Sequence, residues 1–392
     1  MPYRVGIFDP AFTKEGHFVA FDRYVAELLN DSRYQVVFLD LDGYMRETYE
    51  GRLFLGNTPE FQALLPETAS GKIPLLPSRL ANILNRVMRW KRSLRTIASL
   101  NLDLVLITSE SYDPLMYLFR PKFRYGLFIL NPRLYIYLPK TAATWLHALA
   151  NRFYARCYKD LVDRASFLLT TNEPPMIAGL EDALKRRDLP WLPNLDLKPL
   201  GEQERKSSPM FDFLTIGTIS RSKSHTLALN AYKENGLDYR YLVAGLPRDS
   251  VGRSVEALVH ELENDESLHV RGEFGYITEE RYSELMLQTR YALLPYDFAR
   301  GNISSQVMHD CFQRNIPIVA PNIEPFAWYV EKYGIGFLYK EGDAVSLADT
   351  LKRAMETDPG YFAEGFARLQ QDHTLEVIKK GFLPLVEKAL QR

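Results

Sequence analysis

The sequence predicts an α/β chain built from two parallel sheets in tandem, and three observations predict it. Short β-rich apolar runs alternate with longer segments of helical period along nearly the whole chain. At 392 residues the chain is longer than one compact core usually supports. A stretch rich in Pro, Ser and charge at 192–209, LPNLDLKPLGEQERKSSP, interrupts the alternation and reads as an interdomain linker.

The elements follow in order. Apolar runs at 3–8, 36–41, 104–107, 125–130 and 167–171 read as strands of a first sheet, each followed by a helical pattern. After the linker the alternation restarts with runs at 211–217, 239–245, 268–272, 291–296, 316–320 and 336–339. The last pattern, 374–391, carries apolar residues at Leu375, Val377, Ile378, Phe382, Leu385, Val386 and Leu390. This is an amphipathic terminal helix, kinked or interrupted at Pro384, that is expected to pack back on the first domain. The expected division is therefore 1–198, 199–370 and a terminal helix 371–392. In such sheets ligands bind beyond the carboxyl ends of the strands.

Charge and composition narrow the function classes. Hydrophobic residues make up 46% and charged residues 25%, which fits a globular protein and excludes a disordered one. No run of eighteen apolar residues exists, and the opening MPYRVGIFDP enters a strand without a basic and apolar leader, so neither a transmembrane helix nor a signal peptide is expected. Two cysteines, Cys157 and Cys311, fall inside helical patterns. They argue for a reducing compartment, the cytoplasm by default, and against a disulfide frame. No metal-ligand spacing of histidines occurs, so no protein-held metal is expected. Sequence motifs for dinucleotide dehydrogenases, P-loop NTPases and α/β-hydrolases are also missing.

The net charge of −1 conceals an asymmetry. Residues 1–198 hold 26 Lys and Arg against 21 Asp and Glu, while residues 199–392 hold 22 against 28. Most of the excess lies at 77–159, with 14 cations and three anions, which points to an anionic partner. The segment 79–97 carries six cations and no acid, and Ile83, Val87, Trp90, Leu94 and Ile97 fall at helical spacing. Together with 141–164, which combines Trp145, Leu149 and Phe153 with Arg152, Arg156 and Lys159, it makes a pair of basic amphipathic helices. Such helices suit an anionic membrane surface, unless the two apolar stripes face the domain's own sheet. Nucleic acid is not expected as a partner, because no recognition motif appears.

The chemistry concentrates at 301–321, GNISSQVMHDCFQRNIPIVAP: a polar loop, one short helix and a buried strand. Asn302, Ser304 and Ser305 lie where side chains cap a helix, and the helix dipole favours an anion there. Asp310 lies five residues beyond Ser305, at a distance suited to accept hydrogen bonds from the vicinal hydroxyls of a sugar whose phosphate sits at the helix entrance. The alternative is a capped helix that simply feeds a core strand. In FDFLTIGTISRSKSHTLALNAY, a strand ends at Gly217, and Arg221 and Lys223 follow as two cations able to neutralise a diphosphate. Gly16-His17 sits at a matching strand-to-helix turn of the first domain, where a ligand phosphate can approach closely.

These segments resemble the retaining GT-B glycosyltransferases, in particular the family-four group that uses nucleotide-sugar donors. Gly217 and Lys223 hold the six-residue spacing of that family's G-R-L-x-x-x-K-G segment, and Pro317 of IPIVAP places Asp310 and Asn302 at the two acids of its E-x7-E motif. LPNLD at 192–196 and GFLYKEGDAVSLADTL resemble two further family segments, and VRGEFGYITEERYSELM places Phe274 beside the nucleobase. The resemblance implies a GT-B fold and transfer of a hexose-type sugar from a UDP- or GDP-sugar to a glycan or lipid-linked glycan, with retention. It implies Lys223, Arg221 and Asn302 as catalytic residues, and Gly16, His17, Gly217, Phe274, Ser304, Ser305 and Asp310 as donor-binding residues. Departures stand at Thr218, where the family has Arg, and at Asn302 and Asp310. They leave open a non-catalytic nucleotide-sugar-binding protein, or an inverting transferase or epimerase on the same scaffold.

Overall fold

The computed structural model describes residues 1–10, 18–40, 60–63, 78–109, 118–129, 145–171, 173–193, 209–220, 223–297 and 305–391. The chain divides into two compact units, one made of Met1–Asp196 with Leu375–Arg392 and the other of Leu197–Thr374.

Among the described residues the first unit holds six strands: β1 (Tyr3–Phe8), β2 (Tyr34–Asp40), β3 (Glu60–Ala63), β4 (Leu104–Ile107), β5 (Tyr125–Ile129) and β6 (Phe167–Thr170). Their order is β3-β2-β1-β4-β5-β6, and every neighbouring pair is parallel. Alternate residues serve opposite faces, which is why the strands read as unbroken apolar runs. Val5, Ile7, Leu104, Leu106 and Phe128 join a core with helices α1 (Phe18–Leu28) and α12 (Leu375–Gln391), whereas Phe8, Val105, Ile107, Leu127 and Ile129 join the other core. That second core is completed by α2 (Ser78–Ser99), α3 (Trp145–Arg164) and α4 (Pro174–Leu184). β3 escaped the sequence reading because EFQA carries two polar residues in four, which an edge strand tolerates.

Two open readings of helices are decided. The apolar stripe of α2, which suited either a lipid surface or the domain's own sheet, faces the sheet: Val87, Trp90, Leu94 and Ile97 pack on it. Side chains already buried against β4 and β5 are not available to lipid. Likewise, α12 is not interrupted at Pro384; it runs as one helix of 17 residues. The proline removes one backbone donor, and burial of Ile378, Phe382, Val386 and Ala389 against α1 and β5 outweighs that loss.

The second unit repeats the plan with β7 (Phe211–Ile216), β8 (Tyr241–Gly245), β9 (Val270–Phe274), β10 (Thr289–Leu293), β11 (Ile318–Pro321) and β12 (Gly336–Tyr339). The order β12-β11-β10-β7-β8-β9 is again all parallel. Its helices are α5 (His225–Asn235), α6 (Ser250–Glu263), α7 (Glu279–Leu287), α8 (Gln306–Gln313), α9 (Phe326–Tyr333), α10 (Ala344–Glu356) and α11 (Ala363–Asp372). In both sheets the winding direction reverses beside the first strand, between β1 and β4 and between β7 and β10. This makes two Rossmann-like units, each with a switch point where connections diverge and leave room for a ligand.

Phe382 of α12 lies 6.2 Å from Phe128 of β5, ring centre to ring centre, and is fully buried. Phe382→Ala is expected to lower the stability of the first unit by about 3–5 kcal/mol in urea unfolding. A loss below about 1 kcal/mol would mean that α12 does not contribute to this core.

Candidate functional site

The carboxyl ends of β7, β8 and β9 share a feature that backbone sterics dictate. Gly217 follows β7 with φ +107°, Gly245 closes β8 with φ +143°, and Gly275 follows β9 with φ +128°. All three angles fall where side chains are disfavoured. A Cβ on Gly245 would lie 1.7 Å from the Gly217 carbonyl oxygen, so no other residue fits without backbone movement. Gly217 N–H donates to the Ala244 carbonyl (3.0 Å) and Gly275 N–H to the Gly245 carbonyl (3.0 Å). The three strand ends are thereby locked together as a rim with no side chains at these positions.

From Gly217 the chain first runs along β8, with Ile219 bridged to Pro247, and then swings back across the switch point to bridge Lys223 with Tyr296 beyond β10. The Ser224 N–H donates to the Pro295 carbonyl and secures that return. Lys223 Nζ consequently lies over the Tyr296 ring, 5.4 Å from its centre, and 3.4 Å from the Ile216 carbonyl oxygen. A Cβ built on Gly217 would lie 3.4 Å from Lys223 Nζ and 3.7 Å from Val307 Cγ2. The strand-end glycine, the ammonium and the first turn of α8 therefore meet at one place.

Ser305 caps α8: its hydroxyl oxygen accepts the Met308 N–H at 3.2 Å, and its hydroxyl is hydrogen-bonded to that of Tyr296 at 2.9 Å. Gln306 and Val307 occupy helical positions whose N–H groups have no intrahelical acceptor. Those groups, the helix dipole and the nearby ammonium form a local positive field suited to an anion. Further along α8, Asp310 accepts the Tyr282 hydroxyl at 2.7 Å and the Gln306 side-chain amide at 3.1 Å. Burial and then the Asp310 carboxylate push the Tyr282 hydroxyl far above its ordinary range, so it stays protonated and donates.

Of the residues singled out in the sequence, Gly217, Lys223 and Ser305 converge through Tyr296 and Val307, and Asp310 lies one turn beyond. Phe274, at the end of β9, instead covers Gly272 and meets His260 of α6 edge-on at 5.4 Å. Gly16, His17, Arg221, Asn302 and Ser304 lie outside the described residues. Tyr296, Tyr282, Gln306, Gly245 and Gly275 were missed. The recurrence of glycine at successive strand ends was a usable signal for the last two, but no local pattern announces a tyrosine that pairs across the sheet. Burial raises the thiol pKa of Cys311 and Cys157, so neither offers an activated thiolate. Among the described residues no group of three His, Cys, Asp or Glu could hold a metal, and no helix is long and apolar enough to cross a membrane.

Two buried histidines make this unit acid-sensitive. His225 opens α5, and burial, followed by the Lys223 charge, lowers its pKa to about 3; burial lowers that of His373 to about 4. Both values are depressed below the unfolded value of 6.5, so each ring is neutral when folded and gains a proton on unfolding in acid. Stability is whole above pH 6.5 and falls by roughly 1.4 kcal/mol per histidine for each pH unit below it, until about pH 4. Urea midpoints of the second unit between pH 7 and pH 4.5 should fall accordingly, and His225→Asn should remove about half of the slope. An unchanged slope in the variant would show that His225 is not the titrating group.

No family model and no curated protein sequence matches the chain. Solved structures do. A glycosyltransferase from Rickettsia africae aligns over 100% of this chain and 99% of its own at 12% identity, with a TM-score of 0.65. A sucrose-phosphate synthase from Thermosynechococcus elongatus aligns over 100% of both chains at 14% identity, with a TM-score of 0.66. Anabaena Alr3699/HepE, solved in complex with UDP, covers 98% of this chain and 99% of its own at 13% identity, with a TM-score of 0.64. At this identity the likeness establishes architecture, and the chain has the GT-B fold of two Rossmann-like domains.

Proposed function

We propose that this chain is a glycosyltransferase that moves a hexose-type sugar from a UDP- or GDP-sugar to a hydroxyl of a glycan or lipid-linked glycan, with retention of configuration. The observation that carries the reading is the convergence of Lys223, the Gly217 turn and the capped start of α8 at the switch point of the second sheet. A diphosphate seated there meets an ammonium and helix N–H groups that have no intrahelical acceptor, which stabilise the negative charge that develops as the sugar departs. Arg221 adds a second cation, Asn302 binds donor-sugar hydroxyls, and Ser304 and Ser305 bind the diphosphate. Asp310 accepts the ribose hydroxyls, Phe274 flanks the base, Gly16 and His17 are further donor-binding residues, and the first unit binds the acceptor. The UDP-bound Alr3699/HepE, alike in fold, supports the donor class.

A thermal-shift screen with UDP, GDP, ADP, CMP and their sugars is expected to raise the melting temperature for one nucleotide family. No response to any of them would remove the reading. Lys223→Ala is expected to reduce transfer by roughly 100-fold or more with the fold intact. Nucleotide binding without transfer to any acceptor would instead favour a nucleotide-sugar-binding protein, consistent with the amide at Asn302. Analysis of the product anomer separates retention from inversion, and release of epimerised sugar without acceptor identifies an epimerase.

A second partner in this proposal is an anionic bilayer, with the protein peripheral at the cytoplasmic face. Although the main stripe of α2 is buried, Leu84 and Met88 of α2, Leu118, and Phe153 of α3 remain 40–47% exposed, beside exposed Arg86, Arg92, Arg152 and Arg156. The segment carrying Leu118 ties the two helices together, since Trp90 Nε1–H donates to the Phe119 carbonyl at 2.9 Å and Arg120 pairs with Asp160 at 2.8 Å. Apolar side chains among arginines suit an acidic lipid surface. Co-sedimentation with phosphatidylserine vesicles is expected to be salt-sensitive and to weaken with Leu84→Glu and Met88→Glu. Equal recovery with neutral and acidic vesicles would overturn it.

A further inference from the structure

The acid on α8 is an aspartate held from two sides, and the count of its hydrogen bonds is informative. A carboxylate offers about four acceptor positions. Among the described residues the side-chain donors to Asp310 are Tyr282 on one oxygen and Gln306 on the other, which leaves about two positions. A vicinal diol brings two donors. The Tyr282 donor is itself firmly placed. Arg281, its neighbour on α7, forms a paired ion contact with Glu273 of β9 at 2.7 and 3.0 Å, and Arg314, which caps the end of α8, reaches both the Asp310 carbonyl at 3.2 Å and the Ser283 hydroxyl at 3.4 Å. The carboxylate is thus fixed relative to the end of β9 as well as to its own helix.

We infer that Tyr282 is a positioning residue that orients Asp310 to read the 2′,3′-diol of a ribonucleotide, an inference that rests on the donor site proposed above. Aspartate is one methylene shorter than glutamate, so its reach depends on where its oxygens are held. Tyr282 supplies that constraint from α7, and Gln306 supplies it from the first turn of α8. Without the tyrosine donor the carboxylate turns toward solvent or toward Gln306, and its two remaining acceptor positions no longer match a diol. Discrimination between ribose and deoxyribose, rather than affinity for the diphosphate, is the property that should respond.

The test is calorimetric titration of the full chain with UDP and 2′-deoxy-UDP, and in parallel with GDP and 2′-deoxy-GDP. The wild-type protein is expected to bind the ribonucleotide of one pair about tenfold more tightly than its deoxy analogue. Tyr282→Phe, which deletes only the hydroxyl, is expected to bring that ratio to within about twofold. A merely structural tyrosine would weaken both nucleotides alike and leave the ratio unchanged, and that result overturns the inference. Should the variant fold poorly, Gln306→Leu, at a half-buried position, reads the same ratio from the other oxygen and is held to the same outcomes. If the wild-type protein binds neither pair, the donor-site reading itself fails; if it binds but never discriminates, only the role of Tyr282 and Asp310 falls.

Discussion

The second unit is organised around the crossing of Lys223 over Tyr296. One residue comes from the connection after β7 and the other from the connection after β10, and the two strands are neighbours at the point where the sheet reverses its winding. Elsewhere in a parallel sheet adjacent connections turn to the same side. Here they diverge, and a backbone bridge with an ammonium over a ring spans the gap. Everything proposed for the site depends on this bridge. It sets the cation against Gly217, and through the Tyr296 hydroxyl it reaches Ser305 and the start of α8. Cation and helix terminus are thus linked through one side chain, Tyr296.

That link stands on a backbone that tolerates no side chains at Gly217 and Gly245. Three strand ends finish in glycine with positive φ, and the hydrogen bonds between them are as regular as those of the sheet itself. Each glycine loses more conformational entropy on folding than a residue with a side chain would. The return is a bare rim that an anion can approach closely. His225 belongs to the same economy of space: it is buried directly beyond Lys223, and its depressed pKa keeps the ring neutral beside the ammonium. A charged imidazole there would have to compete with the cation for the same field.

The first unit illustrates how burial decides the meaning of an amphipathic pattern. Residues 79–97 present an apolar stripe and six cations, a pattern equally suited to lipid and to a sheet. Trp90 settles the choice, being almost completely buried, stacked on Phe8 at 5.8 Å and tethered through its indole to Phe119. What remains outside is a smaller set of apolar side chains among arginines. The basic excess is therefore a property of the exposed surface, while the hydrophobic periodicity belongs to the core.

Fold class, the parallel character of both sheets and the terminal helix were legible in the sequence, because continuous apolar runs at strand length arise when both faces of a strand are buried. The start of α8 was legible too, since capping is a local interaction within four residues. Strand limits were less so: β9 extends to Phe274 with Glu273 inside it, because an edge strand need not be apolar throughout. What no local pattern contains is the pairing of residues distant in the chain. Lys223 with Tyr296 and Tyr282 with Asp310 stand 73 and 28 residues apart, and nothing near either member signals the other. The sequence determined which residues could carry charge, cap a helix or allow a strand to turn tightly. Only the tertiary structure decided which of them meet, because a winding reversal brings together loops that the chain keeps apart.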